Sequence, residues 1–215
     1  MTKYYFGNKH SNIILIQMVG EHELPGLERE AHLIMELADT EDFCLMAYKV
    51  DDWNDELSPW KAPAAFGDEE FAGNAERTLS AFLDGVEEDD LKGRDRSEIK
   101  IYLGGYSLAG LFALWAAYKT DLFDGVAAVS PSVWFPEFYE FVQKNDIMTS
   151  SVYLSLGDKE SKTRNPVMAQ VGDKIQMIYD ELEPKVDAVL EWNEGNHFRE
   201  PDLRMAKGFA WVLKK

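Results

Sequence analysis

The sequence holds a single cysteine, Cys44, in 215 residues. One thiol cannot close an internal disulfide, so the chain must be held by its core, and a reducing cytoplasm is the expected setting. Cys44 lies in the apolar run Phe43-Cys44-Leu45-Met46-Ala47 with nothing electropositive beside it, which fits a buried core position and not a reactive thiol. Long hydrophobic runs are also missing. The longest near the start, Ile13–Val19, falls far short of the roughly eighteen residues a membrane helix needs. The first residues, Met1–Tyr5, lack the apolar core of an export signal. Basic residues are scarce: 22 Lys and Arg stand against 39 Asp and Glu, a net charge of −17. Such a field repels phosphate backbones and anionic surfaces, which argues against nucleic-acid and membrane partners, and it confers solubility. The acidic run Glu87-Glu88-Asp89-Asp90 fits a solvated loop or helix end. There is no internal repeat or low-complexity segment, and no histidine or cysteine cluster accompanies the paired acids Asp51 and Asp52, so no metal site is expected.

What is present fits one domain over residues 1–215: 46% hydrophobic and 13% aromatic residues, enough for a substantial core. Apolar, β-branched runs alternate with helical periodicity. Strands are expected at Ile13–Val19, Phe43–Val50, Ile99–Leu103, Val126–Val129, Val152–Leu156 and Val186–Trp192. One helical stripe runs through Leu27, Ala31, Ile34, Met35 and Ala38, and another through Phe71, Ala75, Leu79, Phe82 and Leu83. Leu108–Tyr118 is apolar nearly all round. Pro136–Lys144, Pro166–Leu182 and Pro201–Leu213 each open with proline, which a first helical turn tolerates. The alternation predicts an α/β fold of about six mostly parallel strands with helices on both faces, and active chemistry in loops at the strands' carboxyl ends.

One such loop carries a strong motif. The segment Ile99–Leu103 runs into Gly104-Gly105-Tyr106-Ser107-Leu108-Ala109-Gly110 and then an apolar helix. This is close to the Gly-x-Ser-x-Gly nucleophile elbow, with Ala109 where glycine is usual. Small residues two before and two after the serine let strand and helix approach, and Ser107 would project from the start of a helix, where backbone N–H groups can hold an oxyanion. Leu108 would supply one donor, and the loop after the first strand, around Gly20, the second. The competing explanation is a glycine-rich turn with Ser107 as an incidental helix cap.

An elbow serine needs a base later in the chain. Of His10, His22, His32 and His197, only His197 follows Ser107, in a loop just past the last expected strand. His22 could reach the edge of the site, and His32 falls beside a helical stripe. The acid is sought after Val152–Leu156, where Gly157 is followed by Asp158 and Glu160. Gly-x-x-acid spacing favours Glu160, with Asp158 second; either could orient the imidazole.

With these residues the chain resembles the esterase family of α/β-hydrolases that includes esterase D-like enzymes, feruloyl esterases and enterochelin-esterase-like proteins. The resemblance spans roughly residues 13–213 and rests on Gly105–Gly110, Ser130-Pro131-Ser132-Val133-Trp134-Phe135, Leu156–Glu160 and Gly195-Asn196-His197. It implies hydrolysis of a small carboxylic ester without metal or organic cofactor. The chain is shorter than the larger members, and two early strands of the full fold look absent. An acyltransferase or thioesterase would use the same residues, and a binding protein that kept the fold would be expected to have lost one of them. Trp53, Trp60 and Trp134, in loops at strand carboxyl ends, are the expected walls of an apolar pocket, although ordinary packing would account for them equally. The many aromatics would permit a homodimer.

Overall fold

One seven-stranded sheet organises the computed structural model, which describes residues 1–65 and 67–215, Asp89 by its backbone alone. The strands are β1 (Thr2–Gly7), β2 (Ile13–Val19), β3 (Cys44–Lys49), β4 (Lys100–Tyr106), β5 (Gly125–Val129), β6 (Ser151–Gly157) and β7 (Asp187–Asn193). They lie in the order β1-β3-β2-β4-β5-β6-β7, parallel except for antiparallel β1 against β3. All six expected strands are present within a residue or a few. To the about six strands expected, the structure adds a seventh, β1. Its side chains are only half-buried, because it forms the sheet edge and pairs with β3 from Thr2↔Lys49 to Gly7↔Cys44. A half-wet edge strand needs no apolar run, so none announced it.

The interior strands are buried on both faces. On β2, Ile14, Ile16 and Met18 join one core cluster and Leu15 the opposite one, as pleating requires. The first cluster takes α3 (Ala75–Gly85), α4 (Leu108–Ala116), α5 (Phe138–Lys144) and α6 (Val171–Leu182); the second takes α1 (Leu27–Ala38) and α7 (Pro201–Val212). All nine residues of α4 are buried, as its unbroken hydrophobicity implies. Phe71, expected on a helical stripe, sits instead in an isolated bridge with Ala62. The loop after β3 contains a short helix, α2 (Trp53–Glu56), capped by the Asp52 carboxylate, which accepts from the Asp55 N–H at 3.0 Å.

Two sequence expectations meet particular residues here. Cys44 is buried, and desolvation, with the Asp90 charge second, pushes its thiol up to about 11. Asp90 is not a solvated end: it accepts from Lys3 Nζ at 3.0 Å, Tyr5 Oη at 3.1 Å and Tyr48 Oη at 3.3 Å, tying β1 to the turn after α3. No helix among the described residues is long and apolar enough to cross a membrane. The chain leaves β2 toward β3 on one side and returns to β4 on the other, so the strand order reverses between β2 and β4. The carboxyl ends of a parallel sheet open a crevice at such a point.

Candidate active site

Ser107 stands at the head of β4, between strand and helix, with φ 60° and ψ −120°, a conformation that L residues rarely adopt. Three hydrogen bonds fix it there. Its N–H donates to Val129 O at 3.0 Å, and its carbonyl accepts from Ser132 N at 3.0 Å and Leu111 N at 3.1 Å. The turn is possible because the flanking residues are small. A Cβ on Gly105 would come within 2.3 Å of the Ala109 carbonyl oxygen, and one on Gly110 within 2.8 Å of Gly105 O. Ala109 itself is fully buried, so its methyl group is accommodated where glycine is usual.

The structure brings His197 and Glu160 to this serine. His197 Nε2 lies 3.0 Å from Ser107 Oγ, and His197 Nδ1 lies 2.7 Å from Glu160 Oε2. Glu160 follows β6 and His197 follows β7, so three carboxyl-end loops supply the three groups. The other carboxylate oxygen, Glu160 Oε1, accepts from Gly157 N at 2.7 Å, Ser130 Oγ at 2.8 Å and Arg204 Nη1 at 3.0 Å. Burial alone would raise the Glu160 carboxyl. The hydrogen bond and charge of His197, with the Gly157 and Ser130 donors, outweigh it and hold the group below its ordinary value of 4.5. It is therefore ionised at neutral pH and faces the imidazole as a charge.

Asp158 has a different place. Its Oδ1 accepts from Gly195 N at 2.7 Å, while Lys159 N donates to Gly195 O at 3.0 Å. It pins the loop that carries His197 and does not touch the ring. The same loop is held by Arg204 Nη2, which donates to Glu194 O and Asn196 O at 3.1 Å each, and by Tyr106 Oη, which donates to His197 O at 2.7 Å. The sequence did not single out Arg204, Ser130 or Tyr106. Arg204 sits in the first turns of α7 on an amphipathic pattern that gives a buried arginine no signature; Tyr106 and Ser130 lie within recognisable motifs but obey no spacing rule.

The two backbone groups expected as oxyanion donors divide. Leu108 is the first residue of α4 and borders the cavity, so its N–H has no intrahelical acceptor. Gly20 is a correction: its N–H already donates to Glu23 Oε2 at 2.8 Å, inside a turn closed by Glu23 N on Gly20 O at 3.2 Å. Ser132 Oγ is 3.4 Å from Ser107 Oγ, a further polar group beside that hydroxyl.

Ser107 and His197 open into a cavity of about 780 Å³, within the size range of small-molecule sites. Trp53 and Trp134 border it, as expected, and His22 stands edge-on to Trp53 with ring centroids 5.7 Å apart. Phe198, 86% exposed and edge-on to His197, forms part of the rim. Trp60 is a second correction. Its ring packs on Phe135, Phe138 and Phe141, its Nε1 donates to Pro136 O at 3.0 Å, and it does not border this cavity. Asp51 and Asp52 stay outside as well; their N–H groups both bond Glu56 Oε1. His32 bonds the Glu28 carbonyl on the exposed face of α1. No group of three or more His, Cys, Asp or Glu placed to hold a metal occurs among the described residues.

No protein-family model matches the sequence, and no curated protein matches it. Solved structures do match in three dimensions. An IroE-like serine hydrolase from Shewanella oneidensis superposes with a TM-score of 0.74 at 16% identity, covering 99% of this chain and 75% of that one. The siderophore hydrolase EstA from Aspergillus nidulans gives 0.68 at 19% identity, over 95% of this chain and 83% of that one. Est1E from Butyrivibrio proteoclasticus gives 0.61 at 16% identity, over 99% and 93%. The fold is shared with these structures. The agreement in the α/β architecture extends across nearly the whole chain.

Proposed function

We propose that the chain is a serine esterase in which Ser107 is the nucleophile, His197 the general base and acid, and Glu160 the group that orients and charges the imidazole. The observation that carries this is the hydrogen-bonded line Ser107–His197–Glu160, with the serine in a strained turn at the start of a helix and an open cavity before it. His197 Nε2 takes the Ser107 proton as Oγ attacks the ester carbonyl. The tetrahedral oxyanion forms beside the Leu108 N–H. Collapse expels the alcohol, which takes the proton back from His197. Water, deprotonated by the same nitrogen, then attacks the acyl-enzyme and releases the acid. Through both steps the Glu160 carboxylate keeps the ring proton on Nδ1 and stabilises the imidazolium, while Arg204, Ser130 and Gly157 keep that carboxylate in place.

The structural neighbours named as serine hydrolases and esterases support ester cleavage as the reaction class. The substrate is a small ester that fits the apolar cavity walled by Trp53 and Trp134. Turnover of a p-nitrophenyl ester series, extended to the siderophore and ferulic acid esters that the neighbours' names point to, tests the proposal. Hydrolysis by the wild type that is lost in Ser107→Ala supports it; equal turnover in the two proteins ends it.

A further inference from the structure

The cavity that Ser107 borders is also lined by carboxyl groups that the ester chemistry does not use. Glu23 comes from the segment after β2, Glu30 from α1 and Asp202 from α7. Glu30 is 4% exposed, borders the cavity, and its Oε1 has no hydrogen-bond partner. Gln17 Oε1, on β2, is another buried acceptor without a partner, behind the lining and not on it. The Glu30 oxygen facing the cavity thus lacks a donor, at a cost of about 1–3 kcal/mol for such a group. The only cation bordering the cavity among the described residues is Arg29, and it is paired with Asp202.

We propose that this wall is a subsite for a primary ammonium group, so that the preferred esters carry a cationic amine on the part of the substrate that lies between Glu23 and Glu30. An ammonium offers three N–H donors and one positive charge, which answers both the orphan Glu30 oxygen and the excess of carboxyls. A hydroxyl offers one donor and no charge, and a substrate carboxylate would meet three acids. The electrostatics of the empty cavity agree. Burial drives Glu30 well above its ordinary value, with the Glu23 and Asp202 charges adding to it, and burial pushes Glu23 up to about 7. The two carboxyls are short of a counter-charge that the cavity does not supply. The overall charge of −17 further concentrates cations over anions near the mouth.

The inference deepens the esterase proposal, but the test reads binding, not turnover, so the two fail separately. Hexylammonium, 1-hexanol and hexanoate are titrated calorimetrically into the wild-type protein at pH 8, and into Glu30→Gln and Glu23→Gln. The expected result is hexylammonium binding at least about tenfold tighter than 1-hexanol, hexanoate weakest, and an amine-to-alcohol ratio that falls at least about fivefold in Glu30→Gln. Because the ratio is taken within one preparation, partial unfolding of a variant cancels. Equal affinity of amine and alcohol for the wild type overturns the proposal, as does a ratio unchanged in both variants. Amine selectivity in a protein that hydrolyses no ester would leave this subsite standing and remove the esterase function.

Discussion

Replacing Glu160 with glutamine keeps its shape and removes one charge, and the surrounding donors dictate how the new side chain must sit. Oε1 receives Gly157 N at 2.7 Å, Ser130 Oγ at 2.8 Å and Arg204 Nη1 at 3.0 Å. An amide nitrogen cannot accept from any of them, so the glutamine oxygen takes that side and the NH₂ turns to His197 Nδ1. That nitrogen must then accept, which moves the ring proton to Nε2, where it points at Ser107 Oγ and disables the base. The imidazolium also loses its counter-charge. Loss of the correct tautomer in such a relay costs about 10⁴-fold in kcat, roughly 5.5 kcal/mol of barrier. The assay is kcat on p-nitrophenyl acetate at pH 8, with a thermal melt confirming the fold. In Asp158→Asn the side-chain oxygen can still accept from Gly195 N, so the loss should stay under about tenfold. A folded Glu160→Gln retaining more than a tenth of wild-type kcat would refute the reasoning, as would Asp158→Asn proving the more damaging change.

Gly105→Ala should destabilise the protein by about 3 kcal/mol or more in urea titrations, because its Cβ would meet the Ala109 carbonyl at 2.3 Å and both are backbone-fixed; a loss under about 1 kcal/mol would contradict the tight elbow. Cys44 should resist Ellman's reagent in the native protein at pH 8 and react fully in urea, since its thiol is buried and pushed up to about 11. Glu23 is a carboxyl whose folded value is raised to about 7, so its contribution to stability is complete below 4.5 and is lost as pH rises through about 7. Glu23→Gln should therefore gain on the wild type across that window, by up to about 3 kcal/mol at pH 8, in urea melts run at several pH values; a difference that does not change with pH would sink the assignment.

The candidate site was more legible in the sequence than the edge of the sheet was. The elbow could be read because strain leaves a trace in side chains: only small residues fit at 105 and 110. His197 emerged by chain order, and Glu160 by its spacing from Gly157, whose missing Cβ leaves room for that carboxyl. The rest was written in contacts between distant segments. β1 is a half-exposed edge whose apolarity is diluted by Lys3, and nothing local says that Tyr5 and Lys3 reach Asp90. Trp60 had the composition of a pocket wall, but its ring found Phe135, Phe138 and Phe141 first. Gly20 was expected to offer a free N–H, yet the Glu23 side chain that claims it lies three residues on and gave no warning. Arg204, which holds both Glu160 and the His197 loop, is visible only once β6, β7 and α7 have come together.

The central claim is that His197 activates Ser107, and labelling with a fluorophosphonate probe tests it most directly. The account predicts that the folded wild type reacts, that peptide mass mapping places the adduct on Ser107, and that both Ser107→Ala and His197→Ala abolish labelling. A folded wild type that does not react, or an adduct on another residue that persists in Ser107→Ala, would contradict it.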